Sequence, residues 1–205
     1  MNNIIVATNN MGKLREIREI CAGLPFALTS LRDHWNPVPS IPEEGATFLD
    51  NARAKACWVF DKTGTWSLAD DSGLEVDCLG GAPGVRSARY AGDHATDREN
   101  LDKLLAALAD CPLQRRTARF RCVAVLKFSE ADELVANGVC EGAIGFEPRG
   151  TDGFGYDPVF MPAGFSLTFA ELDSSNKNAI SHRGKALAAL RRGLDERFGK
   201  DWSVR

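Results

Sequence analysis

Residues 67–90 read SLADDSGLEVDCLGGAPGVRSARY, and this stretch decides how the rest of the chain is interpreted. The short apolar segment at residues 66–69 predicts a strand that ends at Asp70, where a second carboxylate, Asp71, follows at once. A glycine-rich turn and two arginines come next. Adjacent acids, a permissive loop and then bases are typical of a site that handles a metal and an anion. An Asp-Asp-Ser-Gly run is equally typical of an ordinary turn, so this stretch alone leaves both interpretations open.

The composition is that of an ordinary globular protein. The chain has 205 residues, of which 44% are hydrophobic and 26% are charged, and its formal net charge is −3. This length predicts one domain, with room for two lobes. The small negative net charge provides no general attraction to nucleic acid or to an anionic membrane. An anionic ligand would therefore need a local basic site.

The cysteines and the N-terminal segment indicate a compartment. None of the 6 cysteines forms a C-x-x-C pair or has the spacing of a zinc site, and most lie in apolar segments. Buried thiols in a reducing cytoplasm are therefore expected. The first ten residues lack the basic region of a signal peptide, and no segment is long enough to span a bilayer. We expect a cytoplasmic protein with no membrane partner.

The first strand and helix frame a polar loop. Residues 3–7 predict a buried strand, and residues 13–23 have apolar side chains at helical spacing. Free N–H groups at the helix start, together with Lys13, are able to hold a phosphate. The loop does not match G-x-x-x-x-G-K-[ST], so it is not a P-loop. An asparagine-rich helix cap with a solvated Lys13 is the simpler interpretation at this point.

The second helix follows a pair of glutamates. Thr47 is a predicted N-cap for a helix that runs to about residue 60. Glu43 and Glu44, just before it, are either partners of the helix dipole or metal ligands. Lys55, two turns into the helix, points either back toward the same loop or into water. Residues 96–109 predict a third helix, which has one apolar stripe and is most simply structural.

A strand at residues 116–128 and a partner at residues 133–144 predict a hairpin. Four arginines lie at its start, and a solvated strand face or an oligomer contact explains them best. An RNA-binding site is the weaker interpretation, because the net charge is negative and no stacking aromatics are interleaved with these arginines. We expect no nucleic-acid partner.

The C-terminal third contains aromatic residues and a cationic group. Phe154 and Tyr156 lie between glycines, where core packing is usual and stacking on a flat ligand is the sharper alternative. Residues 157–160 predict a strand, and residues 179–198 predict one last helix. Cationic side chains lie at the start of this helix, namely those of Lys177, His182, Arg183 and Lys185. Because the helix macrodipole opposes positive charge there, an anionic or electron-rich group is expected nearby.

Six segments, in order, resemble the inosine triphosphate pyrophosphatase family. They are ATNNMGK (7–13), EEGATFLDNARAKA (43–56), ADDSGLEVDCLGGAPGVRSARY (69–90), TARFRC (117–122), FGYDPVF (154–160) and SHRGKAL (181–187). The resemblance implies an α/β fold, with a long twisted mixed sheet and helices in two lobes that flank a central substrate cleft. It also implies a single two-lobed domain over residues 1–205, a homodimer, and Mg²⁺ as cofactor.

The resemblance also implies an activity, the hydrolysis of ITP, dITP and XTP to the monophosphate and pyrophosphate, which cleanses the nucleotide pool. Carried over residue by residue, it implies a triphosphate loop formed by Thr8, Asn9, Asn10, Met11, Gly12 and Lys13. It implies a phosphate contact at Lys55 and a substrate contact at Ser72. The base-recognition set that it implies is Phe154, Gly155, Tyr156, Asp157, Lys177, His182 and Arg183.

The family resemblance gives Asp71 two roles, metal ligand and general base. Glu43 is the matching second metal ligand, but the segment departs from the family pattern by having Glu43-Glu44-Gly45, so Glu44 remains an alternative. No cysteine or histidine is offered as a nucleophile near the acids, which favours direct attack by water on the α-phosphorus. We expect Asp71 to activate that water, and Asp70 to face the other way and orient the loop or a lysine.

Base selection follows from hydrogen-bond polarity. Inosine and xanthosine have an acceptor oxygen at C6, where adenine has an amino donor, so donors on Lys177, His182 and Arg183 would favour the oxygen. Two alternatives remain. One is the same reaction on other modified nucleotides, and the other is a nucleotide-binding protein without catalysis.

Overall fold

The structure is a computed structural model, and it describes residues 2–199. The strands within this range are β1 (Asn2–Val6), β2 (Phe26–Ser30), β3 (Trp66–Val76), β4 (Thr117–Lys127), β5 (Glu133–Ile144) and β6 (Phe160–Pro162). The α-helices in the same range are α1 (Met11–Ile20), α2 (Phe48–Thr63), α3 (Asp97–Ala107), α4 (Ser174–Ile180) and α5 (His182–Phe198). Among the helices so described, none combines the length and the apolar character needed to cross a membrane.

The strands form one mixed sheet. Their order is β2-β1-β3-β4-β5-β6 across the part of the chain that the structure describes. β1 runs parallel to both β2 and β3, with Val6 opposite Leu68, whereas β5 and β6 are antiparallel. Strands that are parallel to both neighbours are buried on both faces, which explains why residues 4–6 of β1 are all apolar and buried. The predicted α/β class with a mixed sheet is confirmed.

β3 is much longer than the sequence pattern predicts. The strand does not end at Asp70 but continues through the acids to Val76, so the interpretation of residues 70–73 as a turn is wrong. Leu74 and Val76 are fully buried, and alternate positions such as these bury the same face of a strand. The extended backbone puts adjacent side chains on opposite faces, and this separates Asp70 from Asp71.

Two predicted helix starts have reciprocal caps. Thr47 accepts a hydrogen bond from the Asp50 N–H, and the Asp50 carboxylate accepts one from the Thr47 N–H, which completes a capping box. Thr96 and Glu99 form the same arrangement at the start of α3. These caps fix where α2 and α3 begin, as predicted from the sequence.

The predicted helix over residues 179–198 is two helices. α4 begins earlier because the Asp173 side chain caps it by accepting from the Asn176 N–H, and Ser181 then adopts an extended conformation (φ −67°, ψ 158°) that ends it. Lys177 therefore lies in the last turn of α4, where the helix dipole favours a cation. The prediction that Lys177 lies at a helix N-terminus is therefore wrong, although His182 and Arg183 do lie at the start of α5.

The strand predicted at residues 157–160 is also wrong. Only Phe160 of that stretch belongs to a strand, because the N–H of Asp157 donates to the Phe154 carbonyl and the N–H of Val159 donates to that of Tyr156. These bonds fold the segment into successive turns just before β6. The β4–β5 hairpin, by contrast, is confirmed by the sheet order.

The chain divides into two compact units, each with its own apolar core. The first unit comprises residues 2–71, 122–138 and 183–199, and the second comprises residues 72–121 and 139–182. Buried side chains from β1, α1, β3 and α5 contribute to the core of the first unit, including Val6, Leu14, Ile17, Leu68, Leu187 and Leu190. In the second unit the core includes Leu74, Val76, Leu104, Phe120, Val159, Phe160 and Phe169.

Two cysteines are linked. Cys78 and Cys111 form a disulfide in the second unit, so the prediction that all the cysteines are thiols is wrong. The two residues lie 33 positions apart in the sequence, after β3 and after α3, and nothing in their local spacing indicated a pair. The other cysteines are thiols, and burial raises the pKa of Cys122 to about 12 and that of Cys21 to about 11.

Candidate active site

The loop before α1 is organised by its own polar side chains. Asn10 caps the helix by accepting a hydrogen bond from the Lys13 N–H at 3.0 Å, and Thr8 Oγ1 accepts from the Asn10 N–H at 3.1 Å. Asn9 Nδ2 donates to the Pro39 carbonyl at 3.1 Å. These contacts fix the loop that links β1 to α1.

Lys13 is not simply solvated. Its Nζ lies 3.3 Å from Oδ2 of Asp70, a carboxylate that is only 1% exposed. A buried charge must be paired to be tolerated, so this contact ties the start of α1 to β3. The simpler interpretation of this loop is confirmed for the asparagine cap, which Asn10 provides, but wrong for Lys13, which is paired rather than solvated.

Asp70 belongs to a buried network of charges. Its Oδ2 accepts from Arg183 Nε at 3.2 Å and Nη2 at 3.0 Å, and Arg183 also forms an ion pair with Glu16. Burial alone would raise the pKa of Asp70, but the cations Lys13 and Arg183 outweigh it and hold that pKa well below its usual range. Burial likewise opposes the charge of Arg183, whose pKa is nevertheless raised by Asp70 and Glu16.

Asp71 lies in different surroundings. Its Oδ2 accepts a hydrogen bond from Asn51 Nδ2 at 3.0 Å, and its Oδ1 lies 3.8 Å from Lys55 Nζ. Burial raises the pKa of Asp71, and the charges of Lys13 and Lys55 only partly offset this effect. A carboxylate with a raised pKa is a better proton acceptor than an ordinary aspartate, which is the property required of a general base.

Lys55 contacts two carboxylates. Its Nζ donates to Glu43 Oε1 at 2.5 Å, in addition to its approach to Asp71. Burial lowers the pKa of Lys55, but the charges of Asp71 and Glu43 outweigh burial and raise it. The lysine therefore stays charged and points toward the glutamate loop, as one of the two interpretations of the sequence predicted.

The Glu43 and Asp71 carboxylates suit a hard cation. Both approach one point, the Lys55 ammonium, so oxygen ligands converge where positive charge is already held. Across residues 2–199 no group of three or more His, Cys, Asp or Glu side chains is placed to hold a metal. Mg²⁺ is usually bound by one or two carboxylates together with substrate phosphates, so the pair fits it. Glu44, in contrast, is exposed.

A second group of predicted residues lies within the second unit. Asp157 Oδ2 accepts hydrogen bonds from Lys177 Nζ at 2.6 Å and from the Phe154 N–H at 2.8 Å. Lys177 Nζ is 5.4 Å from the centroid of the half-buried Phe154 ring. The His182 ring stacks on Phe120, with centroids 4.7 Å apart and an interplanar angle of 11°. The structure thus brings Phe154, Asp157 and Lys177 together.

Glycines give this loop its conformation. Gly153 has φ +77°, and a Cβ there would lie 2.1 Å from Asp157 Oδ2, so a side chain would displace the carboxylate. The next glycine, Gly155, has φ +61° and donates its N–H to Asp97 Oδ2 at 2.8 Å. The left-handed conformation is one that glycine adopts without strain.

Tyr156 is a core residue. Its ring is 4% exposed and its hydroxyl donates to the Ser87 carbonyl at 2.8 Å. The stacking role considered for Tyr156 is therefore wrong, and of the two aromatics only Phe154 presents a partly exposed ring. Ser72, the predicted substrate contact, follows Asp71 on β3 and is partly exposed.

Two polar residues of the first unit that contact the candidate site were not predicted from the sequence. Glu16 is 5% exposed and binds Arg183, and Asn51 is 1% exposed and binds Asp71. Their spacing was the available signal, because Glu16 lies three residues after Lys13 and Asn51 lies four before Lys55. Residues three or four apart share one face of a helix.

The fold is α/β with one mixed sheet, and its buried carboxylates lie beside lysines, as in a protein that binds a metal and an anion. Comparison with known proteins gives the family. The profile of the Ham1 family matches residues 4–193. The chain belongs to the Ham1 family, and the family resemblance predicted from its six segments is confirmed.

Similar proteins cover almost the whole chain. A dITP/XTP pyrophosphatase from Geobacter sulfurreducens is 49% identical over 191 residues, which are 93% of this chain and 96% of the relative. One from Vibrio cholerae is 46% identical over 199 residues, which are 96% and 98% of the two chains. The solved structure of a HAM1 protein from Coxiella burnetii has a TM-score of 0.84 at 45% identity and covers 96% of this chain and 100% of its own.

Proposed function

We propose that this protein is a Mg²⁺-dependent nucleoside triphosphate pyrophosphohydrolase that converts ITP, dITP and XTP to the monophosphate and pyrophosphate. The relatives named dITP/XTP pyrophosphatase support the reaction and the substrate class. The single observation that carries the chemistry is the approach of Glu43 and Asp71 to one buried ammonium, that of Lys55. Hydrolysis of a triphosphate needs cations that bind the phosphates, carboxylates that hold a metal ion, and a group that accepts a proton from water.

Phosphate binding is assigned to the first unit. Lys13 and Lys55 provide two ammonium groups, and the start of α1 provides backbone N–H groups and the positive end of the helix dipole. The side chains of Thr8 and Asn10 already form hydrogen bonds with the loop backbone, so the loop is ordered before a ligand arrives. Preorganised donors stabilise developing negative charge at little reorganisation cost.

Activation of the attacking water is assigned to Asp71. Its carboxylate is held by Asn51 and its pKa is raised by burial, so it is suited to orient a water molecule and to accept a proton from it. The oxygen of that water attacks the α-phosphorus, the proton passes to the Asp71 carboxylate, and the bond to pyrophosphate breaks. Mg²⁺ held by Glu43 and Asp71 would neutralise charge that builds on the leaving group.

Base recognition is assigned to the second unit. Lys177 and His182 would donate hydrogen bonds to the C6 oxygen, and the Phe154 ring would stack on the purine. Asp157 holds Lys177 and the Phe154 backbone in place. Arg183 has its guanidinium bound to Asp70 and Glu16, so we assign it to positioning Asp70 rather than to the base. Donors of this kind favour ITP over ATP by on the order of 10⁴-fold.

The proposal includes a single domain and a homodimer, which the resemblance implies, and the cytoplasmic location that was predicted from the sequence. Light scattering on the purified protein tests the dimer directly. The two rival functions are separated by product analysis, because a protein that only binds nucleotides releases no pyrophosphate. The other rival, the same reaction on other modified nucleotides, is tested by measuring rates on a panel of modified pyrimidine triphosphates.

Release of pyrophosphate from ITP, measured with and without Mg²⁺, is the experiment that tests the proposal. We expect pyrophosphate as the first product and loss of turnover when Mg²⁺ is removed. Orthophosphate as the first product would contradict the proposed reaction.

A further inference from the structure

Asn51 is a fully enclosed asparagine that uses both ends of its amide. Its Nδ2 donates to Asp71 Oδ2 at 3.0 Å, and its Oδ1 accepts from the Gly45 N–H at 2.7 Å. The residue is 1% exposed and lies on α2, one helical turn before Lys55. One side chain therefore links the glutamate segment that precedes α2 to the catalytic aspartate on β3.

We infer that Asn51 is a positioning residue that fixes the Glu43 carboxylate relative to the Asp71 carboxylate. This inference rests on the proposed function, since it concerns the pair of carboxylates assigned there to Mg²⁺. Glu43 and Asp71 lie far apart in the sequence, so their spacing depends on contacts made across the fold. Asn51 provides one of these contacts and Lys55, which binds both acids, provides another.

The glycine at position 45 supports this assignment. A Cβ added to Gly45 would lie 2.8 Å from Asn51 Oδ1 and 2.5 Å from the Cβ of Asp50. Position 45 therefore accepts no side chain unless Asn51 or Asp50 moves. The close approach of the Gly45 backbone to Asn51 is what allows the hydrogen bond of 2.7 Å.

The chemistry of an amide suits this position. Asn51 presents a donor to a carboxylate and an acceptor to a backbone N–H, and an aspartate of the same size would present acceptors to both. Groups that hold the ligands of a metal affect the metal almost as strongly as the ligands do, and their loss typically costs about 10–100-fold in metal affinity or activity.

The test compares Asn51→Ala and Asn51→Asp with Asn100→Ala. Asn100 is the matched control, because it is 2% exposed and also uses both ends of its amide, accepting from the Ala91 N–H at 2.8 Å and donating to the Ala88 carbonyl at 3.1 Å. For each variant, one measures kcat and KM for ITP, the Mg²⁺ concentration at half-maximal rate, and binding of a non-hydrolysable ITP analogue in Mg²⁺-free buffer by calorimetry.

For both Asn51 variants we expect kcat to fall by about 10–100-fold and the half-maximal Mg²⁺ concentration to rise, while Mg²⁺-free binding of the analogue is retained. Asn100→Ala should leave kcat and the Mg²⁺ dependence unchanged. If Asn51→Ala does not fold, Asn51→Asp carries the test, because it keeps the acceptor toward Gly45.

Unchanged kcat and Mg²⁺ dependence in a folded Asn51 variant would overturn the inference but leave the proposed function intact. An equal loss in Asn100→Ala would also overturn it, because the effect would then belong to any buried asparagine. Absence of pyrophosphate release by the unmodified protein counts against the proposed function itself.

Discussion

Asp70 and Asp71 are adjacent on β3, yet their carboxylates bind different cations. Oδ2 of Asp70 lies 3.3 Å from Lys13 Nζ, whereas Oδ1 of Asp71 lies 3.8 Å from Lys55 Nζ. The cause is the strand itself, because successive side chains point to opposite faces. The electrostatic result is opposite too, since the pKa of Asp70 is lowered and that of Asp71 is raised. Neighbouring acids of one type are thereby placed in different electrostatic surroundings.

Asp71→Asn should lose most turnover and retain nucleotide binding. The amide keeps the shape of the side chain but cannot accept a proton from water, and loss of a general base typically costs about 10²–10⁴-fold in rate. Single-turnover kinetics and calorimetric binding of an ITP analogue check the two halves of this prediction. Near-normal turnover would remove Asp71 from the role of base.

The same variant should be more stable than the unmodified protein near neutral pH in Mg²⁺-free buffer. The pKa of Asp71 is raised in the folded state, so the folded protein binds a proton there more tightly than the unfolded chain does. Ionisation of Asp71 therefore opposes folding at pH values above its unfolded pKa of about 3.9. Asn mimics the neutral form, so its advantage should shrink as the pH falls toward that value.

Urea unfolding of Asp71→Asn at several pH values measures this effect. A variant that is less stable than the unmodified protein near neutral pH would show that the ionised Asp71 stabilises the fold, contrary to our expectation.

Asp70→Asn should have the opposite effect on stability. The substitution removes the carboxylate that Lys13 and Arg183 share and leaves Arg183 with Glu16 alone. Loss of one partner of a buried ion pair typically costs about 3–5 kcal/mol of unfolding free energy. The folded-state pKa of Asp70 is lowered, so the stability that it contributes is present above its unfolded pKa, about 3.9, and is lost as the pH falls below that value. The gap between the variant and the unmodified protein should narrow in acid, which denaturant unfolding measures.

Lys177→Met should weaken base selection more than phosphate handling. The substitution keeps an unbranched side chain in a buried position but removes the donor proposed for the C6 oxygen. The preference for ITP over ATP should fall by about 10–100-fold, since a hydrogen bond to a charged group contributes about 1.5–3 kcal/mol. The ratio of kcat/KM values measures it, with the exposed Lys185→Met as the control. An unchanged ratio would remove Lys177 from base recognition.

The fold was predictable where local signals were strong. Thr47 and Thr96 each precede an acid by three residues, and both mark helix starts that the structure confirms. The pattern predicts too short a β3, because acids and a glycine usually mark a turn, whereas burial of Leu74 and Val76 extends the strand. The break at Ser181 and the Cys78–Cys111 link depend on contacts that sequence spacing does not reveal.

For the candidate site, the sequence predicted residues but not the partners that the structure gives them. Lys13, Lys55 and Asp71 were predicted from their motifs, but the pairing of Arg183 with Glu16 and Asp70 was not, because these three residues lie far apart in the sequence. Tyr156 shows the opposite error, because a motif position that resembled a ligand contact is occupied by a core side chain. A motif gives the residue type, whereas its role depends on which groups surround it.

The most direct test of the account is the product and rate obtained with ITP, XTP, GTP and ATP, each with and without Mg²⁺. Pyrophosphate is measured directly, and orthophosphate is measured before and after an inorganic pyrophosphatase is added. We predict pyrophosphate as the first product, a strong preference for ITP and XTP over ATP, and no turnover without Mg²⁺. Comparable rates on ATP, or orthophosphate as the first product, would contradict the account.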